Sequence, residues 1–334
     1  MKRLQRLSFV NFSLAIALMV SFHLVAARTT NAQSLTPITM SIPTKTFQMV
    51  IYPIAVERGY MKEEGIDLKL TFIEATPSIQ SIMAGSVHFT GSGTSALVAL
   101  AKSGVPMKVI AATNDRVLQW LLTKPGVNGV KDLKGKKIAS TGVATAAVFM
   151  LRQILTKQGL DGNKDVTIID PGSGNQLTAL MTGVADAAIV SPDQRYVGLD
   201  NGMKELLYFG NEVKNSWGTL ATSDKIIKEQ PKVVAGYVRG VLKALRYVRQ
   251  EKEGTVAAMA KFSGIERAAA ARVYDDLANT FTRNGAVDEE TQRNDMVIIR
   301  QIVDGKETIP PNRAYDFSFA LDADQQLNKI GWKP

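Results

Sequence analysis

Short polar side chains and glycines recur just after the apolar stretches that predict strands. Hydroxyls, amides and free backbone N–H groups at the start of a helix bind anions, because the positive end of the helix dipole lies there. These positions therefore predict a site for a sulfonate, nitrate or carboxylate group. The candidate ligand-binding residues are Thr46, Phe47, Gln48, Ser78, Gly91, Ser92, Thr94, Asn114, Thr141, Gly142, Thr145, Asn175, Ser191, Asp193 and Trp217.

The segment 141–145 is the best candidate for holding the anionic end of a solute. It combines the hydroxyls of Thr141 and Thr145 with the backbone amides that follow Gly142. The same residue types are favoured as N-caps, so N-capping of the next helix is an alternative interpretation that stays open. The sequence GSGT at 91–94 is too short and too common to predict a nucleotide phosphate loop.

Two aromatic residues and one carboxylate extend this prediction. Phe47 and Trp217 could form the walls of a cleft and select an apolar or aromatic solute, or they could pack in the core and at a hinge. Asp193 could bind an ammonium group, or it could be a solvated loop carboxylate. The sequence leaves both interpretations open for each residue.

The chain contains no cysteine, and His88 is the only histidine after residue 32. The lack of cysteine excludes disulfides, thiolate metal sites and cysteine nucleophiles, and one histidine is too few for a histidine metal site. General acid-base catalysis by His88 would need partners that the sequence does not indicate. We therefore predict a protein that has no metal or cofactor and is not an enzyme.

The first 32 residues are typical of a signal peptide. Lys2, Arg3 and Arg6 precede an apolar stretch over 7–25, and no acidic residue occurs in this segment. We predict cleavage near Ala32, with a second possible site after Ala27, and an uncleaved membrane anchor is the alternative. Cleavage would place the mature protein in the periplasm.

The formal net charge of the whole chain is +9. Four basic residues lie in the first 32, so the rest has 36 basic against 31 acidic residues, or +5. These charges are spread along the chain and do not cluster with exposed aromatic residues. The sequence therefore predicts no nucleic-acid partner.

Strand and helix patterns alternate over residues 38–190, which predicts parallel strands joined by helical crossovers. A faint repeat at a constant offset of 98 residues predicts two similar lobes with a cleft between them. Its matched pairs are Ile79 and Leu177, Ile82 and Leu180, Met83 and Met181, Gly85 and Gly183, and Gly104 and Gly202. The same offset places Thr44 opposite Gly142, so each lobe would bring one first loop to the cleft.

We predict that residues 33–117 form the first part of lobe 1 and residues 118–216 form lobe 2. Residues 217–334 would return to lobe 1 and add C-terminal helices, because the pattern is helical from residue 224 onward. The chain would cross between the lobes near 113–118 and again near 211–219. A length of about 300 residues after the signal peptide agrees with two lobes.

Three motifs carry a family resemblance: PIAVERGYMKEEG at 53–65, MAGSVHF at 83–89 and DLKGK at 132–136. The chain resembles the periplasmic solute-binding proteins of ABC transporters for nitrate, sulfonates and taurine, and for the pyrimidine precursor of thiamine. The resemblance implies an α/β fold like type II periplasmic binding proteins. Each lobe would have a central, mostly parallel sheet flanked by helices, with two hinge crossings. His88 departs from the family, which usually has Asp before this strand.

The resemblance also implies a function without catalysis. A monomer would capture a small anionic organic solute, such as a sulfonate, taurine, a nitrate-like anion or an aromatic carboxylate, and deliver it to an ABC permease in the inner membrane. Alternatives are the binding of a thiamine pyrimidine precursor or another neutral heterocycle, and a periplasmic enzyme of the same fold. The enzymes among the relatives need a Cys-rich motif and histidines, whereas this chain has no cysteine and only one histidine after residue 32. A transcription regulator would need an N-terminal DNA-binding domain where the signal peptide stands.

Overall fold

The alternating strands and helices form two five-stranded sheets, each flanked by helices. This computed structural model describes residues 34–172 and 174–334. The predicted signal peptide at 1–32 and its cleavage site near Ala32 lie outside the described residues. None of the described helices is both long enough and apolar enough to span a membrane.

We name the sheets A and B and call each sheet with its helices lobe 1 and lobe 2. The strands of sheet A are β1 (Thr36–Ile42), β2 (Ile66–Phe72), β3 (Phe89–Thr90), β4 (Met107–Asn114) and β10 (Trp217–Ser223). The strands of sheet B are β5 (Trp120–Thr123), β6 (Lys137–Ala139), β7 (Thr167–Ile169), β8 (Ala187–Val190) and β9 (Lys204–Tyr208). Their orders are β2-β1-β3-β10-β4 and β7-β6-β8-β5-β9.

The helices connect these strands and form the C-terminal part of the chain. Those up to residue 212 are α1 (Ile51–Glu57), α2 (Tyr60–Glu63), α3 (Ala75–Met83), α4 (Gly93–Ser103), α5 (Ala146–Lys157), α6 (Gln176–Thr182), α7 (Pro192–Asp200) and α8 (Phe209–Glu212). The later ones are α9 (Asp224–Glu229), α10 (Pro231–Gln250), α11 (Lys252–Ser263), α12 (Arg267–Leu277), α13 (Glu289–Ile302), α14 (Pro311–Ala314) and α15 (Ser318–Lys329). Short 3-10 helices occupy Phe47–Met49, Val130–Leu133 and Ala278–Thr280.

The two sheets share one strand register, related by the predicted offset of 98 residues. Met40 pairs with Phe89 in lobe 1, and Ile138 pairs with Ala187 in lobe 2, so both partners shift by the same 98 positions. The pairing of β1 with β2 and that of β6 with β7 are related by the same offset. The repeat in the sequence is thus a repeat of backbone structure, and the predicted two-lobed fold with two crossings is confirmed.

Each sheet is mostly parallel, as the family resemblance implies, and one strand in each runs antiparallel to its neighbours. β10 is antiparallel to β3 and β4, and β5 is antiparallel to β8 and β9. Both strands follow a crossing between the lobes, over 115–119 and 209–216, where no long helix returns the chain to the opposite edge of the sheet. They therefore run opposite to their neighbours. Residues 217–219, expected in the second crossing, already belong to β10.

The C-terminal helices cover lobe 1 and reach lobe 2. The predicted apolar stripe of α10 is buried at Val234, Val238, Val241, Leu245 and Val248, and this helix packs on α1 and α15. Helix α13 contacts both α4 of lobe 1 and α5 of lobe 2. The C-terminal helices therefore do more than return to lobe 1, because α13 packs against α4 and α5, one helix from each lobe.

Candidate functional site

Two helix N-termini, one from each lobe, line the same small cavity. Helix α4 contributes Thr94 and helix α5 contributes Ala146, while Trp217 of β10 lines a further side. The cavity measures about 20 Å³, which is room for one water-sized group. Because the first turn of each helix exposes unpaired N–H groups and the positive end of the helix dipole, this space favours a negative charge.

Hydroxyl groups near these N-termini lack a protein partner. Among the described residues, the buried hydroxyls of Ser92, Ser140 and Thr145 form no hydrogen bond. Ser92 and Thr145 are the N-cap residues of α4 and α5, yet neither side chain caps its helix. A buried hydroxyl without a partner costs about 1–3 kcal/mol. These three hydroxyls therefore lack a hydrogen-bond partner within the described protein, although none of them lines the cavity itself.

The backbone beside the cavity requires glycine at two positions. A Cβ on Gly93 would lie 2.9 Å from the carbonyl oxygen of Thr219, and closer still to the Thr219 side chain. The first residue of α4 thus packs directly on β10. Gly142 has φ +127°, in the region that favours glycine, and it forms the turn that leads into α5.

A second cavity of about 80 Å³ also lies between the lobes. Lys45, Thr46 and Phe47 line it from lobe 1, and Asp193 lines it from lobe 2. Phe47 is buried and packs against Phe281, with ring centroids 4.9 Å apart. The sequence left open whether Phe47 packs in the core or lines a cleft. In the structure Phe47 packs in the core and also lines a cavity.

Polar contacts join α7 of lobe 2 to α12, so the lobes are closed on this side. The Nη1 atom of Arg195 lies 2.7 Å from Oδ2 of Asp276, and the hydroxyl of Tyr196 donates to the same carboxylate. Arg272 donates to both oxygens of Asp200, at 2.8 and 3.1 Å. Burial, and then the hydrogen bond to Asp276, raise the pKa of Tyr196 to about 12. We call these five side chains the interlobe latch.

Asp295 of α13 is a buried carboxylate that lines the first cavity. Its Oδ1 accepts hydrogen bonds from Nδ2 of Asn215 at 2.9 Å and the backbone N–H of Ser216 at 3.0 Å. Its Oδ2 accepts from the Ser216 hydroxyl at 2.6 Å and the Tyr315 hydroxyl at 3.1 Å. Burial raises the pKa of Asp295, and these hydrogen bonds oppose the shift. Asp295 thus fixes the second crossing to α13.

Asp295 is absent from the residues that the sequence predicts, although the chain contains a signal for it. The carboxylate precedes Ile298 and Ile299 by three and four residues, so it lies on the apolar face of its helix. An acidic residue on a buried helix face needs several hydrogen-bond donors around it. The spacing therefore indicates that hydrogen-bond donors surround Asp295, but it does not indicate where in the fold this network lies.

The structure brings part of the predicted set together at the lobe interface. Thr94 and Trp217 line the first cavity, and Thr46, Phe47 and Asp193 line the second. Ser92 and Thr145 lie at the N-termini of the two helices that line the first cavity. Trp217 is half-buried and packs against the apolar clusters of both lobes.

Other predicted residues already have protein partners. The buried hydroxyl of Ser78 hydrogen-bonds with those of Ser41 and Thr90. The buried amide of Asn114 donates to Oγ1 of Thr280 at 3.1 Å. Their side chains are therefore engaged inside lobe 1.

The remaining candidates line neither cavity, and all of them except Gln48, which lies in the 3-10 helix Phe47–Met49, lie on loops. Asn175 donates to the carbonyl of Pro171 at 3.2 Å, and the hydroxyl of Ser191 donates to Asp193 at 2.7 Å. Thr141 is exposed, Gln48 and Gly142 are half-buried, and Gly91 is buried. Contact of each candidate with a ligand stays a prediction.

His88 has a local structural environment. Its Nδ1 accepts the backbone N–H of Thr39 at 3.2 Å, and its carbonyl accepts the Thr222 hydroxyl at 2.7 Å. Burial lowers the pKa of His88, so the neutral ring is favoured. Across the described residues, no group of three or more His, Asp or Glu side chains is arranged to hold a metal ion.

Solved structures share this fold at low sequence identity. The putative periplasmic sulfonate-binding protein SsuA of Methylobacillus flagellatus KT matches with a TM-score of 0.75 and 15% identity, over 90% of this chain and 97% of that chain. The periplasmic nitrate-binding protein NrtA of Synechocystis PCC 6803 matches with a TM-score of 0.66 and 13% identity, over 88% and 89%. The desulfurization enzyme DSZB matches with a TM-score of 0.64 and 14% identity, over 88% and 99%. At these identities the matches establish the fold.

Among curated protein sequences, none matches this chain significantly. A family model described as NMT1/THI5 like matches residues 46–254. The matched span contains all three motifs on which the sequence resemblance depends and reaches into both lobes, so that resemblance is confirmed. The chain belongs to the NMT1/THI5 like family.

Proposed function

We propose that this chain is the periplasmic solute-binding component of an ABC importer and captures a small anionic organic solute between its lobes. One observation carries the proposal: the N-termini of α4 and α5 come from opposite lobes and line one cavity. A solute that contacts both lobes stabilises the closed state by its differential contacts. Capture by lobe closure would thus need no chemical step.

The polar groups around this cavity support an anion as the bound group. Ser92 and Thr145 offer hydroxyls without protein partners, and the two helix N-termini add backbone N–H groups. Asp295 lines the same cavity and would carry a charge of the same sign as the anion, but both of its oxygens accept hydrogen bonds from the protein. Two proteins of this fold are described as sulfonate-binding and nitrate-binding, which agrees with an anionic solute.

The interlobe latch supports release as well as capture. Its ion pairs join exposed or half-buried groups, so solvent screens them and each pair contributes little to stability. Contacts this weak close the lobes without preventing them from opening. The two interlobe cavities, at about 20 and 80 Å³, are smaller than most ligand sites. We therefore expect the lobes to open before a solute enters.

Thermal-shift and calorimetric titrations test the proposal. The wild-type protein is titrated with methanesulfonate, taurine, nitrate, an aromatic carboxylate and a neutral pyrimidine. We expect a small anion to bind, and Thr145→Ala to weaken its affinity about fivefold, because one hydrogen bond contributes about 1 kcal/mol. Ser92→Ala should have a similar effect, and neither variant should lower the stability of the free protein.

The matched control is Thr156→Ala, at the opposite end of α5. The hydroxyl of Thr156 donates to the carbonyl of Arg152 at 2.9 Å and lies far from the cavity. Its removal should leave the affinity unchanged. If the neutral pyrimidine binds and none of the anions does, the proposal of an anionic solute is wrong. The alternative function, binding of a neutral heterocycle, then takes its place.

An enzyme of the same fold is the second candidate, because DSZB is described as a desulfurization enzyme. The chain has no cysteine, and the ring Nδ1 of His88 already accepts a backbone hydrogen bond. The residues around the cavities are mainly hydroxyl, apolar and aromatic side chains. Product formation from a bound sulfonate or sulfinate, followed by mass spectrometry, would contradict the proposed binding function.

A further inference from the structure

One end of sheet B carries a cluster of lysines. At this end β6, β7, β8 and β9 begin and the antiparallel strand β5 ends. Helix α5, whose N-terminus lines the first cavity, follows β6 and starts from the other end of the sheet. We call the surface formed by these lysines the lysine edge. Its members are Lys124, Lys131, Lys134, Lys136, Lys137 and Lys204.

Backbone contacts place lysines from three strands side by side. The N–H of Lys137 donates to Oδ2 of Asp186 at 2.9 Å, and the N–H of Lys124 donates to the carbonyl oxygen of Asp186 at 3.4 Å. Lys204, the first residue of β9, is paired with Thr123 at the end of β5. Lys124 is half-buried, and Lys137 and Lys204 are exposed. The lysine edge is therefore one continuous surface of lobe 2.

The carboxylates of this surface hold its turns together. Asp132 accepts the backbone N–H of Gly129 at 3.1 Å, and Asp165 accepts that of Asp161 at 2.8 Å. Asp186 has the same role at the start of β6. These carboxylates lie on short side chains, whereas each ammonium group lies at the end of a long flexible one. The outermost charges of the lysine edge are therefore mainly positive.

The fold itself does not require these lysines. Nδ1 of His88 accepts the N–H of Thr39 at 3.2 Å in lobe 1, just as Asp186 accepts the N–H of Lys137 in lobe 2. Both pairs are related by the offset of 98 residues, so the hydrogen bond is kept with and without the lysine side chain. In lobe 1 the positions equivalent to Lys134, Lys136 and Lys137 hold Thr36, Ile38 and Thr39.

Two exposed apolar side chains lie next to the lysine edge. Met181, in the last turn of α6, is 42% exposed, and Val184, two residues after this helix, is 59% exposed. Nζ of Lys124 reaches the same turn, because it would lie 3.2 Å from a Cβ at Gly183. Lysines around exposed apolar side chains are typical of surfaces that bind anionic lipid. The ammonium groups attract the headgroups, and the apolar side chains enter the interface.

A lipid surface fits this composition better than an acidic protein does. Protein–protein interfaces are depleted of Lys and enriched in Arg and aromatic residues, and the lysine edge contains neither of the latter. A lysine ammonium is a compact, hydrated charge that needs no fixed geometry in its partner. It therefore suits the phosphate groups of a bilayer, whose positions fluctuate.

We propose that the lysine edge binds the anionic headgroups of a phospholipid surface, so that lobe 2 attaches to the membrane. The cavity between α4 and α5 lies at the other end of sheet B, and attachment leaves it free for a solute. Binding at the lysine edge does not depend on which solute enters that cavity.

Cosedimentation with vesicles tests the lysine edge. The exported protein is mixed with vesicles of phosphatidylcholine alone, or of phosphatidylcholine and phosphatidylglycerol in equal parts. We expect it to bind the anionic vesicles about 100-fold more tightly, and to dissociate from them in about 0.5 M salt. Lys131→Gln combined with Lys137→Gln should weaken this binding about 25-fold, because each lysine near an anionic surface contributes about fivefold.

The matched control combines Lys228→Gln with Lys232→Gln, which removes two exposed lysines from α9 and α10. This double variant should bind anionic vesicles as the wild type does, and the melting temperatures of both double variants should equal that of the wild type. Equal binding to neutral and anionic vesicles, or an equal loss in the two double variants, would overturn the proposal.

An acidic protein as the partner gives a different result. If the lysine edge binds polyglutamate while anionic vesicles do not bind, the lipid proposal is wrong and an acidic protein surface replaces it. All of these measurements are made without a solute. Their failure therefore leaves the proposed solute-binding function intact, and a failure of the solute titrations leaves the lysine edge intact.

Discussion

Three equivalent buried positions, on the first strand, a helix and the next strand of each lobe, are all polar in lobe 1 and largely apolar in lobe 2. In lobe 1, the buried Oγ of Ser78 lies 2.5 Å from Oγ of Ser41 and donates to Oγ1 of Thr90 at 2.8 Å. The residues 98 positions later in lobe 2 are Ala139, Gln176 and Ala188. The two lobes therefore share one strand register but carry side chains of different polarity at equivalent positions.

This difference separates the polar groups that hold the fold from those available to a solute. The three hydroxyls of lobe 1 hydrogen-bond to one another, and Thr90 also accepts the backbone N–H of Ser92 at 3.0 Å. In the described part of lobe 2, Ser140 and Thr145 have buried hydroxyls without a partner. Removal of a partnered group should therefore cost stability, whereas removal of an unpartnered group should affect only binding.

The largest effect should come from Asp295, the most completely partnered polar group near the cavities. Asp295→Ala would leave four donors without an acceptor, including the backbone N–H of Ser216 and the hydroxyl of Tyr315. We expect the free energy of unfolding at pH 7 to fall by about 3 kcal/mol, as measured by urea denaturation. Asp295→Asn retains one acceptor oxygen and should cost less. Equal stability of the wild type and Asp295→Ala would show that partnered groups do not determine stability here.

A pair of serines tests the comparison between the lobes directly. Ser78→Ala removes the central hydroxyl of the lobe 1 network and should lower the free energy of unfolding by about 2 kcal/mol. Ser140→Ala in lobe 2 removes a buried hydroxyl that has no partner in the described structure. It should change stability by less than about 0.5 kcal/mol, or raise it, because the cost of burying the hydroxyl disappears. Equal losses in the two variants would contradict the distinction between the lobes.

Much of the fold is predictable from the sequence because its signals are local or periodic. The stripe from Val234 to Val248 predicts a long helix with one buried face, and the offset of 98 residues predicts the shared register. Strand β10 is harder to predict, because its pairing with β4 joins residues about 100 positions apart and its sequence WGTLATS contains small and polar residues. Long-range pairing of this kind leaves no mark on the local pattern.

The candidate site is predictable only in part, for a related reason. Thr94 and Thr145 follow from the rule that ligands bind at helix N-termini, but the cavity between α4 and α5 depends on how α13 packs on both helices. Ser78 satisfies the same rule, yet its hydroxyl turns inward to Ser41 and Thr90. Sequence position indicates which loop a residue occupies, and packing decides whether its side chain meets solvent, core or cleft.

The smallest loss expected for a partnered group concerns Asp288, which caps the start of the helix that contains Asp295 but is exposed where Asp295 is buried. The Asp288 carboxylate caps α13 by accepting the backbone N–H of Thr291 at 2.9 Å, and it lies 2.8 Å from Nζ of Lys214 in the second crossing. The hydrogen bonds from Lys214 and Thr291 lower the pKa of Asp288 to about 2. Asp288→Ala should therefore cost about 1 kcal/mol near pH 6, the usual value of an N-cap.

The pH dependence of this loss has a definite sign. A carboxyl whose pKa is lower in the folded protein than its unfolded value of 3.8 contributes stability above that value. This contribution is lost as the pH falls towards about 2. Urea denaturation at several pH values should thus show the wild type and Asp288→Ala converging in acid. Asp288→Asn keeps the cap and removes the charge, so its smaller loss should vanish over the same interval. A difference that does not change with pH would mean that Asp288 acts through its cap alone, and that the ion pair with Lys214 adds nothing to the attachment of the second crossing.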